Sequence, residues 1–218
     1  MGKLKSGILG GVKGKIGNVV GSSWKGIDYL KTLPASYSDA KTETQVNNRS
    51  KFLTVVRFLQ PLTEVLRVGY KSLAVKKSAF NAATSYHYKN AITGDYPDVS
   101  MDYSKVMMSK GQLRGADNAT ANSSVAAKLN LTWTDNSGLS SAQADDVAIV
   151  VVYHPELADA FHTLNAGSRG DLAAELDLPQ SYSGSDVHVY LSFMALSGTK
   201  QTAQSISNSS YLGLVSIL

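Results

Sequence analysis

The sequence predicts an α+β protein in which a glycine-rich N-terminal arm and a helical region precede a β-sandwich. Three patterns in the 218 residues lead to this fold class. Glycines recur every three or four residues at the N-terminus, apolar residues then recur at helical spacing as far as Ala91, and apolar and polar residues alternate from Tyr96 onward. The chain is long enough for one large or two small domains, and we assign residues 1–96 to the arm and helices and residues 97–218 to the sandwich.

The arm spans Gly2–Leu33 and mixes glycines with short apolar groups and lysines. Glycine disfavours a helix by about 1 kcal/mol relative to alanine and also weakens an isolated strand, while Ile and Val make the segment too apolar for a solvated linker. We therefore expect the arm to leave its own globule and pack on a neighbouring copy, with packing on its own helices as the alternative. The residues assigned to this assembly contact are Trp24, Gly10, Gly11, Gly14, Gly17 and Gly21.

The helical region follows a turn-rich link and contains recognisable start and stop signals. Thr42 begins a capping-box pattern, and apolar residues then recur at helical spacing. Pro61 lacks a backbone N–H and should kink or restart the helix, and Gly69 fits its C-terminal end. Ser78 fits as the N-cap of a further helix over Ala79–Ala91.

The remainder of the chain alternates with the period of a β-strand, and turn residues separate the apolar segments. Seven short strands in about 120 residues favour a β-sandwich. The core residue we expect at its centre is Trp133, surrounded by Leu131, Val150, Val152, Tyr190 and Phe193. The candidate strands are Ser100–Met108, Val125–Thr134, Asp146–His154, Ala160–Leu164, Ala173–Leu178, Val187–Leu196 and Ser209–Leu214.

Two of these strands resemble the fibronectin type III family, whose sandwich is related to that of immunoglobulin domains. Leu129–Trp133 is similar to the second strand of that family, where a Trp fills the core, and Val187–Ala195 with the following Ser197-Gly198 is similar to the sixth strand and its turn. The resemblance covers about residues 100–214. It implies a scaffold or binding module with no active site.

The whole chain has a second resemblance, carried by GGVKGKIGNVVGSSWKG, QVNNRSKFLTVVRFL, FNAATSYHYKNAITGDYPD and LTWTDNSG. These segments resemble a family of short Bacteroidota proteins of unknown function, which also occur in phage-like contexts. The resemblance implies that arm, helices and sandwich belong together as one unit, and it implies no activity.

Charge is distributed unevenly along the chain. Residues 1–115 contain 18 Lys and Arg and 7 Asp and Glu, a net charge of +11, whereas residues 116–218 contain 3 and 10, a net charge of −7. This asymmetry predicts head-to-tail association of copies. We expect Arg49 and Arg57 of one copy to meet Asp145 and Asp146 of another, and the alternative is that two domains simply differ in isoelectric point.

No residue pattern indicates catalysis, a cofactor or a metal ion. The absence of cysteine excludes disulfides and thiol nucleophiles, and Gly14-Lys15 lacks the earlier glycine and the following Ser or Thr of a phosphate-binding loop. His154 and His162 flank a hairpin turn and could form a weak surface metal pair, but hairpin histidines without a ligand are the better interpretation. We predict no enzyme, no cofactor and no metal site.

Neither a signal peptide nor an apolar stretch of membrane-spanning length is visible, because glycines and lysines interrupt the N-terminus and the longest apolar run is only Val147–Tyr153. We expect the protein to be made in the cytoplasm, with a virion or released particle as its destination.

These observations predict a non-enzymatic structural subunit that assembles with copies of itself through its arm, in a phage-like particle or filament that contains other particle proteins. The alternative is a cytoplasmic nucleic-acid-associated protein, because lysines and arginines of the basic half are interleaved with the aromatic residues Trp24, Tyr70, Tyr86 and Tyr88. A surface module that binds carbohydrate or protein is a third interpretation.

Overall fold

The structure is a computed structural model that describes residues 3–4, 10–24, 27–34, 36, 39–195 and 205–218. It contains three α-helices and several antiparallel sheets within these residues, which confirms the α+β class. The chain divides into two compact units, Met1–Thr42 and Glu43–Leu218. This division does not coincide with the predicted boundary at residue 96, because the helices share a hydrophobic cluster with one of the sheets.

The N-terminal unit is a four-stranded antiparallel meander. Its strands pair in chain order, and the two-residue turn Gly17-Asn18 joins the second strand to the third. Gly17 has a φ of 54°, a conformation that glycine adopts without steric cost. The strands, none of which the sequence predicted, are β1 (Lys3–Leu4), β2 (Val12–Ile16), β3 (Val19–Trp24) and β4 (Ile27–Thr32).

The helical region begins where the sequence indicated. Helix α1 covers Glu43–Leu59, α2 covers Thr63–Gly69 and α3 covers Ala79–Asn90. The break between α1 and α2 contains Pro61, and the Ser78 side chain caps α3 by accepting a hydrogen bond of 3.1 Å from the backbone N–H of Asn81. Both predictions are confirmed.

The predicted role of Gly69 as a C-cap is wrong. The residue is the last of α2, and Tyr70 occupies the cap position. A Cβ atom at Gly69 would overlap the carbonyl oxygen of Met108. Glycine is therefore required here because another backbone segment passes very close to the helix.

Two antiparallel sheets and one short ribbon make up the rest of the second unit. The three-stranded sheet has the order β11-β8-β7, the four-stranded sheet has the order β10-β9-β12-β13, and β5 pairs with β6. The strands are β5 (Ile92–Thr93), β6 (Ser100–Met101), β7 (Asp117–Asn122), β8 (Lys128–Thr134), β9 (Val147–His154), β10 (Asp159–Thr163), β11 (Ala173–Asp177), β12 (Asp186–Met194) and β13 (Ser210–Ser216).

Two strand predictions need correction. The predicted strand Ser100–Met108 pairs only at its first two residues, because the chain then turns into a 3₁₀ helix over Tyr103–Lys105 that the Asp102 side chain caps. Strand β7 was not predicted, because its sequence DNATAN is polar and poor in β-branched and aromatic residues.

Both faces of the four-stranded sheet are buried. Val151 and Tyr153 of β9 join the helices in one hydrophobic cluster, whereas Val150 and Val152 join β8 and β11 in a second cluster. The alternation of side chains along one strand therefore supplies two separate cores.

Trp133 lies in the second cluster, as predicted, and its ring packs edge-on against Phe193 at 5.5 Å between centroids. Tyr190 was predicted beside it but belongs to the first cluster, where its hydroxyl donates to the Tyr103 carbonyl oxygen at 2.9 Å. Odd-numbered residues of β12 face Trp133 and even-numbered ones face the helices, so parity along the strand separates Tyr190 from Phe193.

Candidate functional site

The N-terminal sheet exposes large apolar side chains. Ile27 and Leu30 are 66% and 63% exposed, Ile16 and Tyr29 are also exposed, and no residue of β4 is buried. None of the described residues of this unit belongs to either hydrophobic cluster. A small antiparallel sheet needs a packed hydrophobic face for stability, so the exposed apolar side chains of this sheet are a candidate contact surface.

The predicted glycines serve contacts inside this sheet. Gly14 on β2 is paired with Gly21 on β3, and a Cβ atom at Gly21 would overlap the Val12 carbonyl. A Cβ atom at Gly11 would overlap the Asp28 carboxylate. The expectation that these glycines admit the backbone of a neighbouring copy is thus corrected for Gly11 and Gly21, whose close contacts lie within their own sheet.

Gly10 and Trp24 are the remaining residues of the predicted assembly contact. Gly10 lines a depression of about 540 Å³ together with Asp28 and Leu30. Trp24 ends β3, where it is paired with Ile27, and its side chain lies outside the described residues. The role of Trp24 as an anchor stays a prediction.

Asp146 is removed from the surface, which corrects its assignment to an assembly contact. Its carboxylate accepts hydrogen bonds of 3.0 Å from Nε and Nη2 of Arg169, and both side chains are buried. Arg169 also donates to the Asn136 side chain at 2.7 Å and to the Arg114 carbonyl at 2.8 Å, while its guanidinium lies 3.9 Å from the centroid of the Phe193 ring. This ion pair joins loops from three parts of the chain.

The other predicted charged residues remain at the surface. Asp145 is exposed beside the buried ion pair, and Arg49 and Arg57 are exposed on α1. All three are accessible to a partner molecule. Of the four residues in the predicted charge contact, Asp146 alone is buried.

Helices α1 and α3 form an apolar groove on the surface of the second unit. One part of this groove has a volume of about 460 Å³ and is lined by Phe52 and Val56 of α1 and by Phe80, Thr84 and Tyr88 of α3. The side chain of Phe52 is 55% exposed. A neighbouring depression shares Phe52 and Tyr88 and adds Asn48, Arg49 and Leu53. We call these two connected depressions the helical groove.

The charged side chains that line the helical groove are Arg49 and Lys89, both basic. Phe52 shares the apolar helical period of α1, which predicts that its side chain faces inward. The buried residues of α1 are Val55, Phe58 and Leu59. Their helical spacing places Phe52 at the edge of the buried face, which is why its side chain is exposed.

A second, more polar depression of about 580 Å³ lies where α3 meets the segment before β7 and the start of β13. Its lining includes Tyr86, Lys89, Lys105 and Tyr211, and the Lys110 ammonium group lies 4.6 Å from the centroid of the Tyr86 ring. Basic and aromatic side chains at one surface are typical of sites that bind single-stranded nucleic acid.

The histidines all make structural contacts. His87 is buried and hydrogen bonds to Ala83 and Met107, His188 stacks on Tyr103 at 3.8 Å between ring centroids, and His162 contacts Glu64. His154 is held at the end of β9, where its Nδ1 accepts the N–H of Leu157 at 3.2 Å. Within the described ranges, no group of three His, Asp or Glu side chains is arranged to hold a metal ion.

Among the described residues, the structure contains no helix with the length and hydrophobicity needed to cross a bilayer.

Comparison with known proteins yields a family. No curated protein is a significant match to this chain. The model of the Family of unknown function (DUF6266) matches residues 11–213, which include the N-terminal strands from β2 onward, the three helices and both large sheets. The match covers most of the chain, and the protein therefore belongs to the Family of unknown function (DUF6266).

Proposed function

We propose that the protein is a non-enzymatic structural subunit that assembles with copies of itself through its N-terminal sheet, as part of a phage-like particle or filament. The observation that carries this proposal is the exposure of Ile27 and Leu30 on a sheet whose described residues contribute to neither hydrophobic cluster. Burying a large aliphatic side chain contributes about 1.5–3 kcal/mol. Ile27 and Leu30 lie on opposite faces of β4 because side chains alternate along a strand, and a partner surface that covers either of them therefore stabilises both the sheet and the assembly.

The division of the chain supports exchange of this sheet between copies. Both hydrophobic clusters lie in the unit Glu43–Leu218, so the second unit contains its own cores. The roughly ten residues between Thr32 and Glu43 can span at most about 36 Å when extended. That reach is enough for the sheet of one copy to pack on the next.

We further propose that the second unit contains a fibronectin-like β-sandwich that acts as a scaffold. Two antiparallel sheets share one cluster, and β7 to β13 are seven strands. Trp133 lies on the second of these strands and Val187 begins the buried part of the sixth, which supports the likeness to fibronectin domains. The absence of an active site in such scaffolds supports a non-enzymatic role.

The test compares the oligomeric mass of the full chain with that of two variants, by mass photometry and sedimentation velocity. Leu30→Asp places a charge on the exposed strand β4 and should strongly weaken assembly. Val125→Asp is the matched control, because Val125 is similarly exposed but belongs to the second unit. Equal thermal melting of both variants and the wild type verifies that they fold.

Two results would contradict the proposal. One is a wild-type protein that stays monomeric over the whole concentration range. The other is a Leu30→Asp protein that assembles as the wild type does. A truncation that starts at Pro34 adds a further check, since we expect it to fold and to lose the association made through the N-terminal sheet.

The polar depression favours a second candidate function, binding of single-stranded nucleic acid. Tyr86 and Tyr211 offer surfaces for base stacking, and Lys89 and Lys105 offer phosphate contacts. Titration of a labelled single-stranded DNA at increasing salt tests it, because phosphate contacts weaken steeply as salt rises. Binding that the double variant Lys89→Glu and Lys105→Glu does not weaken would exclude this surface.

A further inference from the structure

We propose that a second contact joins copies of this protein head to tail, in which an acidic hairpin tip of one copy enters the helical groove of the next. The acidic tip consists of residues 155–159, which are the turn between β9 and β10 and the first residue of β10. The inference rests on the proposed function as a self-assembling subunit. It adds a contact that is made by the second unit and does not involve the N-terminal sheet.

The helical groove has the chemistry of an acceptor for an apolar residue flanked by acids. Its floor and walls are formed by apolar and aromatic side chains, of which Phe52 is the most exposed. Among the described residues, the charged side chains that line it are Arg49 and Lys89. An exposed apolar surface with a basic edge selects against a basic partner and favours an acidic one.

The acidic tip has the complementary chemistry. Leu157 is 54% exposed at the end of the hairpin, and Glu156 and Asp159 are exposed on either side of it. Leu157 can fill the groove while the two carboxylates approach Arg49 and Lys89. The acidic tip also belongs to the acidic half of the chain and the helical groove to the basic half, so the local match agrees with the overall charge asymmetry.

The acidic tip is held in one conformation before it meets a partner. The backbone N–H of Leu157 donates to the buried Nδ1 of His154 at 3.2 Å, and the N–H of Ala158 donates to the Pro155 carbonyl at 3.4 Å. Tyr182 donates to the Asp159 carboxylate at 3.4 Å. A rigid turn loses little conformational entropy on binding, which favours its use as a docking element.

A second copy is the occupant because the acidic tip and the helical groove do not cover each other within one chain. Both belong to the compact unit Glu43–Leu218, and both are exposed there. A contact between two different patches of identical subunits is heterologous, and its repetition produces a ring or a filament. The contact also replaces the predicted partner Asp146, which is buried, by Glu156 and Asp159.

The first experiment measures assembly of the full chain by sedimentation velocity. Leu157→Ser and Phe52→Ser should each weaken association roughly tenfold to a hundredfold, because each removes one buried apolar side chain from the contact. Leu139→Ser is the matched control, since Leu139 is 53% exposed in the same acidic half and lies outside the hairpin. Unchanged association of Leu157→Ser, or an equal loss in Leu139→Ser, would overturn the inference.

A mixing experiment tests the head-to-tail geometry. It uses the Leu30→Asp background, in which the N-terminal sheet contact is removed. Leu157→Ser and Phe52→Ser proteins should each be monomeric in this background, whereas their mixture retains one intact pair of tip and groove and should form dimers. The charge-reversed proteins Glu156→Lys and Lys89→Glu should behave in the same way, and they keep the test decisive if Phe52→Ser fails to fold.

The results separate this inference from the proposed function. A Leu30→Asp protein that is monomeric although its tip and groove are intact would overturn the second contact and leave assembly through the N-terminal sheet standing. A Leu30→Asp protein that assembles fully, and that Leu157→Ser then dissociates, would support the second contact and refute the contact through the N-terminal sheet.

Discussion

Acidification from about pH 7 to about pH 5.5 should destabilise the second unit through the buried side chain of His87. His87 is a buried residue of helix α3, and its imidazole faces the backbone at Met107. Its Nδ1 lies 2.8 Å from the Ala83 carbonyl oxygen, to which it donates, and its Nε2 accepts the N–H of Met107 at 3.3 Å. Both hydrogen bonds are satisfied only by the neutral ring.

Burial lowers the pKa of His87 from 6.5 to about 4, and the hydrogen bond to Ala83 opposes the shift. The unfolded chain therefore binds a proton at a pH where the folded protein does not, so stability is highest above pH 6.5 and falls as the pH drops toward 4. The whole shift corresponds to about 3 kcal/mol. About 1.2 kcal/mol of this is lost between about pH 7 and about pH 5.5, where most carboxylates stay ionised.

Urea unfolding of the wild type and of His87→Gln over this pH range measures the effect. Glutamine can retain both hydrogen bonds but does not titrate, so its free energy of unfolding should fall by about 1.2 kcal/mol less than that of the wild type. Identical pH dependence in the wild type and His87→Gln would refute the reasoning.

Four further outcomes are expected. Trp133→Ala should lower the free energy of unfolding by about 3–5 kcal/mol in urea titrations, and a wild-type value would show that the core is assigned wrongly. Gly69→Ala should cost about 1–3 kcal/mol by overpacking, whereas Gly115→Ala, where a Cβ meets nothing closer than 3.6 Å, should be nearly neutral. Asp146→Asn leaves a buried guanidinium uncompensated and should cost about 3–5 kcal/mol, whereas Asp145→Asn should change stability by less than about 0.5 kcal/mol. Association should weaken as sodium chloride rises toward about 1 M, and light scattering that stays constant would exclude charge contacts between copies.

Local patterns were sufficient for several elements of the fold. Ser78 caps α3 and Pro61 separates α1 from α2 because both effects depend on residues only a few positions away. The alternation around Trp133 placed it in the core because the strand period alone decides which face a side chain joins. Parity within β12 also separates Tyr190 from that core, because Tyr190 is even-numbered and Phe193 is odd-numbered.

The candidate surfaces were only partly predictable. The exposure of Arg49 on α1 and the acidic character of the C-terminal half follow from composition and helical period. The helical groove does not, because it exists only where α1 and α3 pack at a distance that leaves Phe52 and Tyr88 uncovered. The acidic tip is recognisable as a turn in the sequence, but its rigidity depends on the buried ring of His154.

The sequence by itself determined that a helical region precedes a region of strands, the charge asymmetry, the helix break at Pro61 and the N-cap at Ser78, and the core face of the strand that carries Trp133. Only the tertiary structure decided that Asp146 is buried against Arg169, that Gly69 admits the backbone at Met108, and that the glycine-rich segment pairs with itself as a sheet. The first two features depend on a partner distant in the chain, whose approach no local propensity or period encodes, and the third depends on pairing between neighbouring strands that are individually poor in strand-forming residues. Burial of a charge, or the need for a missing Cβ, is a property of the contact between two segments and not of either segment alone.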